Sequence, residues 1–143
     1  MKITICSSLD FTKEIGEVAE QLKALGHEVF LPHTAEQILS GVLDLSDIKK
    51  EKELGIASDR SIRNNAIINH YKKIKKSNAI LALNYKKKGI KNYIGGSVFL
   101  EMGFAYVLGK KIFLWKDIPY MSYTDEIKAM KPVVLNGDLN NIK

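Results

Sequence analysis

Hydrophobic and polar positions along the chain follow two different periods. Five apolar runs have the length of strands, at residues 2–8, 27–32, 78–85, 110–115 and 132–135. Between them lie stretches with apolar residues at helical spacing, of which the first carries Ile15, Val18 and Leu22. Buried strands that alternate with helices are typical of a parallel sheet covered on both faces. The pattern therefore predicts an α/β, three-layer, flavodoxin-like or Rossmann-like open sheet of about five parallel strands.

The domain organisation follows from the same pattern. The sequence has no internal repeat, low-complexity tract or interdomain linker, so we expect a single domain over residues 1–143. Residues 34–60 are the least regular part, with a short helical pattern followed by mixed charged residues. We interpret this segment as a lid over the functional edge of the sheet, and a solvated connector is the alternative.

The segment 61–77 predicts one amphipathic helix before the third strand. Its apolar face has Ile62, Ala66, Ile67, His70 and Ile74, and its outer side is rich in lysine. A histidine on such a face is either a core residue with satisfied hydrogen bonds or a group that exchanges protons near neutral pH.

Composition and charge narrow the classes of partner. The formal net charge is +6, and nearly all the positive charge comes from lysine, with arginine only at positions 60 and 63. Lysine suits a solvated surface or attraction of a small anion, whereas base recognition tends to use arginine, so nucleic acid is not the expected partner. A single cysteine, Cys6, predicts a reducing compartment and a cytoplasmic location. No apolar run has the length of a membrane span, so we expect no membrane partner.

The carboxyl ends of the strands define the functional edge of a parallel sheet. The candidate ligand-binding residues at this edge are Cys6, Ser7, Ser8, Asp10 and Asn84, together with Gly95, Gly96 and Ser97 at the start of a helix. Free amides at that helix start suit a hydroxyl-rich or anionic ligand, and Ser97 is expected to cap the helix. The alternatives are turn and cap chemistry for the serines and the glycines, and a small buried hydrophobe for Cys6.

Glu101 is the only acidic residue between positions 95 and 111, a run that is otherwise almost wholly apolar. It lies four residues after Ser97, one too many for a capping box. Burial of an ionised carboxylate without a partner is costly, so this position calls for a specific reason. One interpretation is a nucleophile or an acid–base group facing a cleft. The other is a structural glutamate bonded to a backbone amide or a lysine.

Three segments, ITICSSL, SNAILALN and GGSVFLEMGFAYVLGKKIFL, resemble the nucleoside 2-deoxyribosyltransferase superfamily, which includes the 2′-deoxynucleoside 5′-phosphate N-hydrolases. The third contains the pattern Glu-apolar-Gly-x-Ala, here Glu101 to Ala105, followed by Gly109-Lys110 and a strand. The resemblance implies that Glu101 attacks the anomeric carbon of the sugar, that the base leaves, and that water or another base then takes the sugar. It also implies a nucleoside or nucleotide partner and a homodimer or higher homo-oligomer.

The resemblance also defines departures from the family. The family's tyrosine on the first strand corresponds to Thr4, and its aspartate on the helix before the third strand corresponds to His70, which we assign to proton transfer toward the leaving base. Gly95 lies nearest to the phosphate-binding serine, with Ser97 as a substitute. The predicted function is cleavage or transfer at an N-glycosidic bond, and the alternative is a non-catalytic nucleotide-binding or sensing module. We expect no cofactor and no metal, because His27, His33 and His70 have no metal-binding spacing.

Overall fold

The computed structural model describes residues 1–143 and contains one sheet of five strands. The strands are β1 (Lys2–Cys6), β2 (Glu28–Phe30), β3 (Ala79–Ala82), β4 (Lys111–Leu114) and β5 (Val133–Val134). Their order is β2-β1-β3-β4-β5, and every neighbouring pair is parallel. The predicted α/β open parallel sheet of about five strands is therefore confirmed.

The chain forms seven α-helices. They are α1 (Thr12–Ala24), α2 (His33–Leu39), α3 (Leu45–Glu53), α4 (Ala57–Arg63), α5 (Ala66–Lys76), α6 (Gly96–Val107) and α7 (Thr124–Ala129). Leu25 ends the first helix and Gly26 follows it with φ +88, a left-handed conformation that glycine adopts without strain.

The alternation of side chains along the strands divides the core into two layers. Ile3 and Ile5 of β1 pack on the face covered by α1, whereas Cys6 packs on the other face with residues of α5 and α6. Cys6, the last residue of β1, therefore faces both α5, which carries His70, and α6, which carries Glu101.

The predicted continuous helix over 61–77 is wrong, because the structure divides it. Helix α4 ends at Arg63 and α5 begins at Ala66, and Asn65 between them has φ 47 in the left-handed region, which asparagine tolerates better than most residues. The break takes Ile62 off the apolar face, so that Ile62 and Ile67 are exposed while His70 and Ile74 are buried.

The segment 34–60 is mostly helical. It contains most of α2, the whole of α3 and the beginning of α4. The guanidinium of Arg60 donates two hydrogen bonds to the carboxylate of Glu51, at 2.7 and 2.5 Å, and so joins α4 to α3. Movement of this segment as a lid stays a prediction. No helix of the structure has the length and apolarity needed to cross a membrane.

Candidate active site

A cavity of about 360 Å³ lies at the carboxyl edge of the sheet. Its walls come from the chain after β1, from α3 and α4 in the irregular segment, from α5, and from the first two turns of α6. This volume falls within the range of small-molecule binding sites. The location agrees with the rule that open parallel sheets bind ligands beyond the carboxyl ends of their strands.

Glu101 lies in the second turn of α6 and faces this cavity, with 18% of its side chain exposed. Its polar neighbours are the imidazole of His70 and the thiol of Cys6, and no lysine or backbone amide pairs with it. Burial raises the pKa of Glu101 to about 8, and hydrogen bonding with the Cys6 thiol acts in the opposite direction. The carboxyl group is thus open to a ligand but lacks the partner of a structural glutamate.

His70 is buried on α5 and faces both Cys6 and Glu101. Its Nε2 atom lies 3.6 Å from Oε2 of Glu101 and 3.5 Å from Sγ of Cys6, whereas its Nδ1 atom is buried without a hydrogen-bond partner. Burial, with a smaller effect of Lys73, lowers the pKa of His70 to about 4. Burial therefore favours the uncharged forms of both the imidazole and the Glu101 carboxyl, and it disfavours an ion pair between them.

Cys6 lies behind the cavity wall, fully buried at the end of β1. Burial, followed by the proximity of Glu101, raises the pKa of its thiol well above the ordinary value. Thr4, the position expected to match an orienting tyrosine, instead makes a hydrogen bond of 2.6 Å with the Ser77 hydroxyl. The group of β1 that contacts the Glu101 carboxyl is therefore Cys6, two residues further along the same face of the strand.

The start of α6 forms one wall of the cavity, and Gly95, Gly96 and Ser97 all line it. The predicted Ser97 cap is wrong, because Gly95 occupies the N-cap position and no side chain caps the helix. The first amides of α6 have no partner within the helix and remain available to a ligand. A methyl group at Gly95 would lie 3.1 Å from the Tyr93 ring, whereas one at Gly96 would meet open space.

Two lysines share one carboxylate near the end of β1. Asp10 pairs with Lys87 at 2.9 Å and with Lys52 at 3.8 Å, and Lys87 also donates to the Ser8 hydroxyl at 2.8 Å. Although burial acts to raise it, these ammonium groups hold the pKa of Asp10 below its ordinary value. Ser8 and both lysines line the cavity while Asp10 does not, so this corner of the site carries excess positive charge.

The predicted binding residues thus separate into two groups. Ser7 and Ser8 line the cavity with the start of α6, although the Ser7 hydroxyl donates to the Leu83 carbonyl. Asn84 does not line it, because this buried side chain bonds the backbone of Lys116 and Asp117 and holds the loop after β4.

The sequence analysis missed four cationic residues of the site, Lys52, Arg60, Lys73 and Lys87. The signal for two of them was the charged, irregular composition of the segment 34–60, which forms a cavity wall.

Comparisons with known proteins support the fold. No family model matches the sequence, and no curated protein is significantly similar to it. Among solved structures, a CMP N-glycosidase of Clostridium botulinum, BcmB, superimposes with a TM-score of 0.51 at 15% identity, over 94% of this chain and 85% of that chain. A 2-deoxyribosyltransferase of Bacillus psychrosaccharolyticus gives a TM-score of 0.49 at 22% identity, over 80% of this chain and 71% of that chain. The superposition on the CMP N-glycosidase confirms the fold that the sequence resemblance implies.

Proposed function

We propose that this protein cleaves or transfers the N-glycosidic bond of a nucleoside, deoxynucleoside or nucleotide, with Glu101 as the nucleophile. The observation that carries the proposal is the Glu101 carboxyl group, which has no lysine or amide partner and lies in the wall of a cavity of about 360 Å³. The fold is shared with an enzyme named as a CMP N-glycosidase, which supports the same class of reaction. The chemistry follows the logic of retaining glycosidases, in which a carboxylate attacks an oxocarbenium-like centre.

We assign His70 to proton transfer in this reaction. Glu101 must lose its proton before it attacks, and Nε2 of His70, 3.6 Å away, is the nearest group that can receive it in the tautomer that leaves this nitrogen unprotonated. Because the pKa of His70 is lower than that of Glu101, the charged pair is a minor state of the free site from which the attack starts. As Glu101 bonds to the anomeric carbon, the bond from that carbon to the base breaks, and its electron pair goes to the base nitrogen. The base then takes the proton that His70 holds. Water or a second base finally displaces the sugar from the Glu101 ester, and the proton that this nucleophile loses returns to Glu101.

The charge of the cavity favours a phosphorylated substrate. Lys52 and Lys87 share the single carboxylate of Asp10, next to the Ser8 hydroxyl, so an anion placed there completes the neutralisation of both ammonium groups. Burial and the neighbouring Lys87 lower the pKa of Lys52, and this is the shift that a bound anion would reverse. We therefore expect nucleotides to be preferred over the corresponding nucleosides.

The experiment is turnover of a panel of nucleosides and nucleoside monophosphates, followed by release of the free base. Glu101→Gln should abolish turnover, and His70→Asn should reduce it by about 10²–10⁴-fold, the usual contribution of one acid–base group. Glu20→Gln, on the exposed side of α1, is the matched control and should leave turnover unchanged. Turnover that survives in Glu101→Gln would rule out the nucleophile.

A non-catalytic nucleotide-binding or sensing module is the second candidate. It is favoured by one observation, the raised pKa of Glu101, because a protonated carboxyl is a poor nucleophile at neutral pH. Thermal stabilisation by nucleotides without any release of base, between pH 6 and 9, would support the module over the enzyme.

A further inference from the structure

We propose that Cys6, His70 and Glu101 form a binding site for a zinc ion, with an open coordination position toward the cavity. The sequence gives no metal-binding spacing because the three residues come from three different elements, β1, α5 and α6. The fold brings one sulfur, one imidazole nitrogen and one carboxylate oxygen within 4.8 Å of one another. A thiolate, an imidazole and a carboxylate are all common zinc ligands.

The separations between the ligand atoms fit tetrahedral coordination. With the usual zinc–ligand bond lengths, a tetrahedral ion places its sulfur and nitrogen ligands about 3.6 Å apart and its nitrogen and oxygen ligands about 3.4 Å apart. Sγ of Cys6 lies 3.5 Å from Nε2 of His70, and that nitrogen lies 3.6 Å from Oε2 of Glu101. Two of the three edges are therefore at zinc distances, and the third, between Sγ of Cys6 and a carboxylate oxygen of Glu101, is no longer than 4.8 Å.

The charges of the site also match a divalent ion. A thiolate and a carboxylate together carry two negative charges, so the occupied site is neutral, as a buried site requires. Zinc binding exchanges the ion for the protons of Cys6 and Glu101. Three protein ligands leave a fourth position, and Glu101 and His70 both line the cavity through which the ion and a water molecule enter.

One hydrogen bond that normally supports a zinc-bound histidine is missing from this site. The Nδ1 atom of His70 has no hydrogen-bond partner, whereas the free ring nitrogen of a zinc-bound histidine normally donates to a carboxylate, a carbonyl or water. We therefore infer reversible binding, weaker than in a structural zinc site. One consequence rests on the proposed function: zinc inhibits the reaction, because it binds the carboxylate with which Glu101 attacks.

The binding test uses Co²⁺ as a spectroscopic substitute for zinc, with the intact protein after removal of metals by a chelator. Cys6 is the only cysteine, so a thiolate-to-cobalt charge-transfer band can arise only from this site. We expect the band at one equivalent of Co²⁺, its loss on addition of Zn²⁺, and intense visible bands typical of tetrahedral cobalt. Absence of the band at excess Co²⁺, or an octahedral spectrum, would overturn the proposal.

The variants test each ligand. Cys6→Ser should abolish the band, while His70→Ala and Glu101→Gln should each weaken Co²⁺ binding by more than the ~10–100-fold typical of a lost outer-shell partner. His27→Asn, which removes a histidine bonded to the N-terminal amine outside the cavity, is the control and should bind normally. If a ligand variant does not fold, the melting temperature of the wild-type protein is measured with and without Zn²⁺ instead. Zn²⁺ should raise it, and an unchanged melting temperature would contradict the site.

The two proposals fail in distinguishable ways. A cobalt band without any base release from nucleotides supports the metal site and contradicts the enzyme. Cobalt displacement measures how much of the site Zn²⁺ occupies. If base release stays unchanged when Zn²⁺ fills the site, the predicted inhibition is contradicted. Base release without a cobalt band contradicts the metal site alone.

Discussion

Replacement of Glu101 by glutamine is expected to stabilise the protein, by an amount that increases as the pH rises. Glutamine has nearly the same shape as a protonated glutamate and never ionises. The folded protein holds a proton on Glu101 until the pH approaches about 8, whereas the carboxyl of the unfolded chain loses it near 4.5. The folded state therefore binds more protons between these pH values, and the free energy of unfolding of the wild-type protein falls as the pH rises through them.

The magnitude follows from the same two pKa values. Each unit of pKa difference corresponds to about 1.4 kcal/mol, so a rise from 4.5 to about 8 gives an upper limit of about 5 kcal/mol. Water that enters through the cavity beside this partly exposed side chain reduces that limit, and we expect about 2–4 kcal/mol at pH 9. The depressed pKa of His70 acts in the opposite sense between about 4 and 6.5, but it is present in both proteins and largely cancels in the difference.

The assay is urea denaturation of the wild-type protein and Glu101→Gln at pH 5, 6, 7, 8 and 9, with a chelator present so that both are metal-free. The difference in the free energy of unfolding should be small at pH 5, increase through pH 8 and level off above it. A difference that does not change with pH would show that the carboxyl group is already ionised at pH 5. A variant that is less stable at pH 9 would show that the carboxylate has a favourable partner.

Three further predictions test the geometry of the site. Asn84→Ala should lower the free energy of unfolding by about 2–3 kcal/mol through its lost buried hydrogen bonds, with little change in KM, as measured by denaturation and kinetics. Gly95→Ala should lower the free energy of unfolding because its methyl group lies 3.1 Å from the Tyr93 ring, whereas Gly96→Ala, whose methyl group meets no protein atom within 4 Å, should not; equal effects in denaturation would contradict the packing. Lys87→Met should raise KM for a nucleoside monophosphate about tenfold or more but leave KM for the nucleoside unchanged.

The fold was predictable because its strands are short, apolar and separated by helical patterns. The break at Asn65 was not, because isoleucine at positions 62 and 67 gives a continuous apolar period, although Ile62 is exposed and Ile67 is partly exposed in the cavity wall. The predicted cap at Ser97 was also wrong, because glycine is accepted at the N-cap as well as serine, and Gly95 takes that position two residues earlier. In both cases the local pattern allowed several registers, and tertiary packing selected one.

The candidate site was predictable only in part. Glu101 was identified because a lone acid in an apolar run is costly, a property that a sequence displays directly. The proximity of Cys6 to Glu101 and His70 depends on the strand register and the crossing of α5 and α6, which no local pattern encodes. For the same reason, Thr4 was matched with the orienting tyrosine, although its hydroxyl pairs with Ser77.

The most direct test of the account is a search for a covalent sugar adduct on Glu101. The metal-free protein is mixed with nucleoside monophosphates, quenched in acid within a turnover, digested and mapped by mass spectrometry. The account predicts a peptide containing residue 101 that gains the mass of the bound sugar phosphate, and no such gain in Glu101→Gln. Release of base with no adduct on Glu101, or an adduct on another residue, would contradict the assignment of this carboxylate as the nucleophile.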